Sequence, residues 1–342
     1  MEYRILGRSG VSVSPLCLGA MMFGKFGNPD HDDCIRVIHA ALDAGINFID
    51  TADVYSGGES EEILAKALAG RRHKVILATK AHFPVGKDVN QRGSSRRWIR
   101  MEVEQSLRRL NTDWIDLYQM HRPDPTCDLD ETLGALSDLV REGKVRMIGS
   151  STYPAWHIVE AQWVAERRNH VRFLAEQPPY SIFARQIERD VLPVCAQYGI
   201  GTLVWSPLAG GWLAGKYRRG ATIEKNWRTT FNAARFDIES PENQRKLDAV
   251  EALEKLAAQA GISLIELALR FVLEHPAVTS AIIGPRTMEQ LQSQLNAPSG
   301  RLGSDIMDAI DQIVAPGELL NKADVGYQPP SLTYPKQRRR SA

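Results

Sequence analysis

The sequence contains little cysteine, and its cysteines show no pattern. Cys17, Cys34, Cys127 and Cys195 are the only four in 342 residues, and they lie far apart. They lack the paired spacing of a zinc site or of a redox dithiol, so we predict neither a metal site nor a disulfide. A reducing, cytoplasmic compartment suits such a chain.

The sequence also lacks a charge excess and a long apolar run. Its 42 Lys and Arg residues nearly balance its 41 Asp and Glu residues, which gives a formal net charge of +1. We therefore expect no nucleic-acid partner. No stretch is long and apolar enough to span a bilayer, and no apolar segment of the secretory type follows Met1–Arg8, so we expect no membrane partner.

Two common nucleotide-binding motifs are missing. No Gly-x-Gly-x-x-Gly opens a βαβ unit, because Gly7 and Gly10 fall in a predicted early hairpin, and a Rossmann domain is not indicated. The stretch Gly210–Lys216 nearly matches a Walker phosphate loop. Tyr217 replaces the Ser or Thr that would coordinate magnesium, so a nucleoside triphosphatase is not indicated either.

What the chain does contain is a regular alternation of short apolar runs with helical patterns. Glycines such as Gly45 stand where the predicted amphipathic helices end. The apolar runs predict eight buried parallel strands, which favours a closed (β/α)8 TIM barrel over an open doubly wound sheet. The runs are Leu16–Leu18, Phe48–Ile49, Val75–Thr79, Trp114–Tyr118, Arg146–Gly149, Arg172–Ala175, Thr202–Trp205 and Ser280–Ile283.

We expect residues 1–342 to form one barrel domain. Residues 1–15 predict a hairpin ahead of the first barrel strand. Residues 217–243, after the seventh strand, and residues 317–342, at the C-terminus, are polar or rich in Pro and basic residues, and both predict loops. An insertion after the seventh strand hangs over the barrel mouth, where it either contacts the substrate or is an inert surface loop.

Polar residues of different chemistry follow the predicted strands, where the reactive groups of such barrels project. Asp50 and Tyr55 follow the second strand, Lys80 the third and His121 the fourth. Lys80 would be costly to bury unpaired, and Asp50 on the neighbouring strand is its natural counter-ion. A nearby ammonium favours the phenolate, so we expect a lowered pKa for Tyr55.

A lone histidine beside a strand is most often a buried, hydrogen-bonded core residue, which is the alternative for His121. Here it accompanies an acid, a tyrosine and a lysine on consecutive strand ends. Each member of such a set has a role in proton transfer, so the combination favours acid/base chemistry.

The sequence resembles the aldo-keto reductase superfamily over nearly its whole length, including the potassium-channel β subunits of that superfamily. The segments that carry the resemblance are Gly45–Tyr55, Ala78–Lys80, Asp116–His121 and Ile282–Thr287. The resemblance implies a bacterial-type, NADPH-dependent reduction of a small-molecule aldehyde or ketone, with a keto-sugar among the candidates. It implies that Tyr55 protonates the carbonyl oxygen, that Lys80 and Asp50 lower the Tyr55 pKa, and that His121 orients the substrate.

The resemblance also implies which residues hold the nicotinamide end of NADPH. Ser151, Thr152 and Gln177 would hydrogen-bond its carboxamide, and Trp205 would stack on its ring. Gly19 and Met21, after the first strand, would border the same end; core packing is the alternative for this turn.

The remaining implied contacts lie along the phosphates and the adenosine. A glycine loop would fold over the pyrophosphate, with a solvated loop as the alternative, and Arg286 would pair with the 2′-phosphate. Relatives often carry other residues at Gln290 and Gln294, which weakens the preference for NADPH over NADH. The implied residues are Ser206, Leu208, Gly210, Lys216, Gly284, Arg286, Gln290 and Gln294.

Two other functions fit the same residues. One is an NADPH-binding regulatory or sensor subunit with little turnover, which the tetrad does not distinguish from a reductase. The other is a barrel enzyme of different chemistry, such as an aldolase that forms a Schiff base on Lys80. An oligomer is compatible with the sequence, although no heptad repeat is present.

Overall fold

Every predicted apolar run forms a strand in the computed structural model, which describes residues 1–220, 229–230 and 232–340. Strands β1 (Arg4–Ile5) and β2 (Ser12–Val13) pair antiparallel and form the predicted hairpin. Eight further strands run parallel in chain order, and the last pairs with the first to close a barrel. They are β3 Leu16–Gly19, β4 Phe48–Asp50, β5 Ile76–Ala81, β6 Ile115–Met120, β7 Val145–Ser151, β8 Phe173–Gln177, β9 Gly201–Val204 and β10 Val278–Ile283.

Helices separate the barrel strands along the chain. The α-helices of the described residues are α1 His31–Asp43, α2 Glu59–Ala67, α3 Arg96–Leu110, α4 Leu129–Arg141, α5 Ala155–Arg168, α6 Val191–Tyr198, α7 Ala233–Phe236, α8 Pro241–Gln259, α9 Leu264–Glu274, α10 Met288–Leu295, α11 Ser304–Ile313 and α12 Pro330–Thr333. Short 3₁₀ turns span Tyr55–Gly58, Arg72–Lys74, Gln186–Glu188, Ala209–Ala214, Ala297–Ser299, Lys322–Asp324 and Pro335–Gln337.

Several helices begin at a side chain that satisfies their first backbone amides. The Asp30 carboxylate accepts from Asp33 N at the start of α1, and the Ser95 hydroxyl accepts from Trp98 N at the start of α3. Ser263 and Glu266 form a reciprocal capping box at the start of α9. Such caps contribute about 1 kcal/mol each and fix where a helix starts relative to the preceding strand.

Apolar residues fill the barrel interior, and the hairpin lies against one end of it. Leu6 and Val13 of the hairpin region pack in one buried cluster with strand residues such as Phe48 and Leu117. Gly7 must lack a side chain here, because a Cβ on it would lie 2.6 Å from the backbone nitrogen of Gly201, at the start of β9. The hairpin therefore closes the N-terminal end, and the polar residues stand at the opposite, C-terminal end.

The described residues contain neither a single membrane-crossing helix nor a cluster of metal-binding side chains. No helix taken singly combines the length and the apolar content of a membrane crossing, although the sharply bent pair Ala233–Gln259 and Leu264–Glu274 meets that requirement jointly. No group of three or more His, Cys, Asp or Glu side chains in the described residues is arranged to hold a metal ion.

The loops predicted at 217–243 and 317–342 are only partly loops. The first range contains α7 and the start of α8, while residues 221–228 and 231 lie outside the described residues. The second contains α12 and two 3₁₀ turns, and residues 341–342 lie outside the described residues. Leu320 and Asn321 are buried. The prediction was wrong there because helical turns of three or four residues leave no periodic pattern in a polar sequence.

A buried ion cluster fastens the C-terminal segment to the barrel. The Asp324 carboxylate lies 2.7 Å from Arg235 Nε and 2.6 Å from Lys246 Nζ. Lys246 is fully buried, and burial lowers its pKa to about 8 against the raising effect of Asp324. Arg235 Nη2 also donates to Ser206 Oγ at 3.2 Å. Asp324 therefore ties the C-terminal segment to helices α7 and α8, and Arg235 ties α7 to the loop that follows β9.

We expect Asp324→Asn to destabilise the fold by about 3 to 5 kcal/mol, because it leaves Lys246 buried without its counter-ion. Denaturant unfolding of both proteins measures the change in the free energy of unfolding. Asp248→Asn is the matched control, since Asp248 pairs with Arg219 on the surface and such pairs contribute about 0 to 1 kcal/mol. Equal effects of the two substitutions would contradict a stabilising role for the cluster.

Candidate active site

The backbone after β4 places Tyr55 beside the neighbouring strand. Thr51 N and Asp53 N still hydrogen-bond to carbonyls of β5 beyond the end of β4, at Ala78 and Lys80. The chain then turns sharply: Tyr55 N donates to Ala52 O, and the following 3₁₀ turn contains three successive residues with positive φ. Two of those three are glycines, which adopt this conformation without steric cost.

Lys80 is the centre of the site. It lies within β5 rather than after it, and its side chain is fully buried. Its Nζ donates to Asp50 Oδ2 at 2.6 Å, to Thr51 O at 2.7 Å and to Tyr55 Oη at 3.3 Å. Burial lowers the Lys80 pKa, but the charges and hydrogen bonds of Asp50 and Tyr55 outweigh that effect and raise it overall. The ammonium is therefore charged at neutral pH.

The expected lowering of the Tyr55 pKa is wrong in its net direction. Burial raises the pKa of this phenol above its ordinary value, and the Lys80 ammonium opposes the rise without cancelling it. The sequence shows the neighbouring charge but not how far the ring is taken out of water. Tyr55 thus holds its proton at neutral pH, next to a cation that stabilises the phenolate left when the proton departs.

His121 directly follows β6 and faces Tyr55. The two ring centroids lie 5.7 Å apart, edge to face, and the Phe83 ring lies 4.8 Å from His121 on another side. Burial lowers the His121 pKa well below its ordinary value, with a further lowering from the charges of Lys80 and Arg122. The imidazole is therefore neutral. Its Nδ1 is buried without a hydrogen-bond partner, which does not fit the alternative of a satisfied core histidine.

Two glutamines complete the shell around Asp50. Gln177 Nε2 donates to Asp50 Oδ1 at 2.8 Å, and Gln119 Nε2 donates to the same oxygen at 3.2 Å. Gln177 is one of the residues singled out from the sequence, whereas Gln119 is not. Gln119 could have been predicted from its position two residues before His121, because alternate residues of a strand point to the same face. Gly149 makes room for it, since a Cβ there would lie 3.2 Å from Gln119 Cγ.

Ser151 and Thr152 lie next to Gln177 at the ends of β7 and β8. Ser151 Oγ and Thr152 N both donate to Gln177 O, at 2.9 and 3.1 Å. Thr152 has a φ of 60°, which is unusual for a β-branched residue and marks a strained turn. Glu176 supports this turn by accepting from Tyr153 N at 3.1 Å. The sequence reasoning missed Glu176, because a carboxylate that bonds to a turn has no motif.

The predicted cofactor loop after β9 has an unusual backbone. Ser206 and Gly210 both have positive φ, and Leu208 is partly buried between them. Trp205 N donates to Pro178 O and Trp205 O accepts from Tyr180 N, so the backbone of Trp205 runs beside the segment that follows β8. Lys216 is exposed at the far end of the loop.

Gly19 ends β3, which pairs with β4 on the edge opposite to β5, and Met21 lies two residues after it. Gly19 pairs in register with Asp50, and a Cβ on it would lie 2.7 Å from Ile282 Cγ2. Close packing of β3 on β10 is thus a sufficient reason for this glycine. Met21 is partly exposed on the turn that follows.

The four residues predicted to hold the adenosine form a separate group after β10. Gln290 Oε1 accepts from Arg286 N at 2.8 Å, and Gln294 Nε2 donates to Gln290 O at 2.8 Å. Gln294 Oε1 is buried without a partner, and Gly284 has open space where a side chain would stand. This group is joined to the Lys80 centre through the pairing of β10 with β3 and of β3 with β4.

Comparisons with known proteins identify the family. A model of the aldo/keto reductase family matches residues 15–315. The chain belongs to the aldo/keto reductase family. An uncharacterized oxidoreductase, YrpG, of Bacillus subtilis is 40% identical over 92% of this chain and 96% of its own length. The aldo-keto reductase YhdN of the same organism is 36% identical over 92% and 94%. A putative voltage-gated potassium channel subunit beta of Schizosaccharomyces pombe is 35% identical over 92% and 93%.

The predicted family and the predicted barrel are thus confirmed. This aldo/keto reductase is an NAD(P)H-dependent oxidoreductase that acts on the carbonyl or CH–OH groups of small molecules. The protonation state of Lys80 does not support the aldolase alternative. A lysine that forms a Schiff base must lose its proton, whereas Asp50 keeps Lys80 charged.

Glu176 makes the stability of this fold depend on pH. Burial raises its pKa to about 7, although hydrogen bonds from Ser150 and from two backbone amides lower it. The folded state then binds a proton that the unfolded state releases above about pH 4.5. The stability that this group contributes is complete below that pH and is lost as the pH rises through 7.

We therefore expect the free energy of unfolding of wild type to fall by about 2 to 3 kcal/mol, relative to that of Glu176→Gln, as the pH rises from 5 to 8. Glutamine keeps an acceptor for the backbone amides and cannot titrate. The measurement is denaturant unfolding of both proteins at several pH values, with the exposed residue variant Glu160→Gln as the control. A difference between wild type and Glu176→Gln that is constant with pH would refute the assignment.

Proposed function

We propose that this aldo/keto reductase uses NADPH to reduce a small aldehyde or ketone to an alcohol, with Tyr55 as the proton donor. The observation that carries the proposal is the position of the Lys80 ammonium, which bonds to Asp50 Oδ2 and to Tyr55 Oη at once. A protonated phenol beside a permanently paired cation is a general acid whose conjugate base is stabilised before the reaction begins.

The roles of the other residues follow from their bonds. Asp50 and Thr51 O hold the Lys80 ammonium in one orientation, and the two glutamines hold Asp50. His121 is neutral, so it can donate a hydrogen bond to a carbonyl oxygen without competing as an acid. As Tyr55 gives up its proton to that oxygen, the negative charge that develops on the phenolate lies 3.3 Å from Lys80 Nζ.

The described residues fit a nicotinamide dinucleotide. Trp205 Nε1 and Gln294 Oε1 are buried polar atoms without partners, and Gly284 leaves an open space beside the Arg286 segment. We assign the nicotinamide end to Ser151, Thr152, Gln177 and Trp205, and the adenosine 2′-phosphate to Arg286. When bound, the cofactor supplies the hydride that the carbonyl carbon accepts.

The proposal specifies the reacting group of the substrate, a carbonyl, and not the rest of the molecule. A small aldehyde, a ketone or a keto-sugar presents the same carbonyl oxygen to Tyr55 and His121. The neutral imidazole and the protonated phenol impose no further requirement on the rest of the molecule. A screen of carbonyl compounds with NADPH distinguishes these classes.

Tyr55→Phe tests the proton donor. We expect it to keep cofactor affinity and to lose turnover by about 100- to 10,000-fold, the usual contribution of a general acid. Steady-state kinetics on an aldehyde and fluorescence titration with NADPH measure the two quantities. Tyr3→Phe, which removes a hydroxyl bonded to Gly45 O far from the site, is the matched control. Turnover near wild type in Tyr55→Phe would rule out the role.

Arg286→Ala tests the cofactor preference. We expect NADPH affinity to fall at least about 10-fold and NADH affinity to change little, because a charge-assisted pair with the 2′-phosphate is lost. Quenching of tryptophan fluorescence follows both titrations, and Trp205→Leu should reduce the amplitude of the signal. An equal loss for both nucleotides would mean that Arg286 does not contact the 2′-phosphate.

A regulatory subunit that binds NADPH and turns over slowly is the second candidate. The observation that favours it is the full-length similarity to proteins named as potassium-channel β subunits, at 35% identity in two species. Recovery of a stable partner with the native protein, together with negligible turnover across the carbonyl screen, would favour the subunit over the reductase.

A further inference from the structure

Arg122 stands beside the proposed catalytic residues and takes no part in the roles assigned above. It directly follows His121, at the C-terminal end of β6, and is only partly exposed. Its guanidinium carbon lies 5.4 Å from the centre of the Phe83 ring, which itself packs on His121. The charge of Arg122 acts on both Tyr55 and His121. The guanidinium is therefore at the mouth, next to the reacting groups.

Among the described residues, none supplies a close counter-ion to Arg122. Its Nη1 donates to His121 O at 2.6 Å, and its Nε is buried without a hydrogen-bond partner. Within the part of the chain that the structure describes, no carboxylate oxygen lies within 4.0 Å of it. Other buried arginines differ: Arg109 pairs with Glu61 and Glu102, and Arg185 pairs with Glu188 and Asp311.

The nearby carboxylates already have other partners. Glu176 interacts with Arg122 only at a distance and accepts from Ser150 Oγ and Tyr153 N. Asp124, two residues further along the chain, accepts from Ser94 N and from Thr126. An unpaired, largely buried charge is costly, so proteins keep one mainly where a ligand pairs with it.

The C-terminal segment lies close to Arg122. A Cβ on Gly326 would lie 3.2 Å from Arg122 Nη2 and 3.1 Å from the Trp205 ring. Gly326 follows Asp324 by two residues, so the ion pairs of Asp324 also hold this part of the C-terminal segment in place. Arg122 and Trp205, whose Nε1 is buried without a partner, thus both lie close to Gly326.

We propose that Arg122 binds a carboxylate on the substrate, so that this enzyme prefers aldehydes and ketones that carry an acid group. The proposal rests on the reductase function, because it places the reacting carbonyl at Tyr55 and His121. A guanidinium binds a carboxylate through two parallel N–H donors, which would fix the substrate on one side while the carbonyl meets the phenol on the other.

The competing role for Arg122 is electrostatic support of the Tyr55 phenolate. That role would affect every carbonyl substrate equally, whereas carboxylate binding affects only substrates with an acid group. The informative quantity is therefore the ratio of kcat/KM for an acid to that for its neutral amide, in which any common effect cancels.

The experiment measures that ratio for two matched pairs with NADPH: 4-formylbenzoate against 4-formylbenzamide, and 4-oxobutanoate against 4-oxobutanamide. We expect Arg122→Gln to lower the ratio at least about 10-fold for one pair or both, and Arg122→Lys to restore part of it. Arg146→Gln is the control, because Arg146 lies at the opposite end of the barrel near Asp116. An unchanged ratio for both pairs would overturn the proposal.

A binding measurement separates failure of this proposal from failure of the reductase function. The full-length protein is titrated calorimetrically with benzoate and with benzamide, in the presence of NADP⁺, as wild type and as Arg122→Gln. If wild type reduces none of the four compounds, the reductase proposal fails for them. Benzoate binding weakened at least about 10-fold by Arg122→Gln would then still establish the anion site, and binding independent of Arg122 would refute it.

Discussion

The rest of this site depends on one fully buried ammonium group. Lys80 lies inside a barrel strand, where an unpaired charge would cost several kcal/mol, and its pairing with Asp50 removes most of that cost. Each further bond follows from this pair: two glutamines hold the second Asp50 oxygen, and the third hydrogen-bond partner of Lys80 is Tyr55 Oη. The pairing that stabilises the fold thus also holds a cation beside the Tyr55 phenol.

The two ends of the barrel differ in structure, and the candidate site lies at only one of them. The N-terminal hairpin fills one end with apolar side chains and with glycines in close backbone contact. At the other end, Arg235 of helix α7 pairs with Asp324 of the C-terminal segment and also bonds to Ser206 in the loop after β9. One end is therefore apolar and closed, and the other keeps polar atoms without partners.

Burial and neighbouring charges give the ionisable groups at that end different protonation states. Burial raises the pKa of Tyr55 and keeps it an acid, and it lowers the pKa of His121 and keeps it neutral. Arg122, beside both of them, carries a charge that forms no ion pair with any carboxylate of the described residues, and its Nε is buried without a partner. Neighbouring groups in different protonation states are typical of sites where acid/base roles are assigned by environment.

The sequence alone determined the strand and helix alternation and the barrel, because these depend on local periodicity. The motifs at the strand ends carried the resemblance to the family and the chemical identity of the four clustered residues. Only the tertiary structure decided how those residues interact. Glu176 bonds to the turn after β7 only because β7 and β8 pair, and the bond of Gln119 to Asp50 and the lack of a carboxylate near Arg122 among the described residues are likewise visible only in the fold. The direction of the Tyr55 pKa also required the fold, because desolvation is a property of the whole surrounding structure.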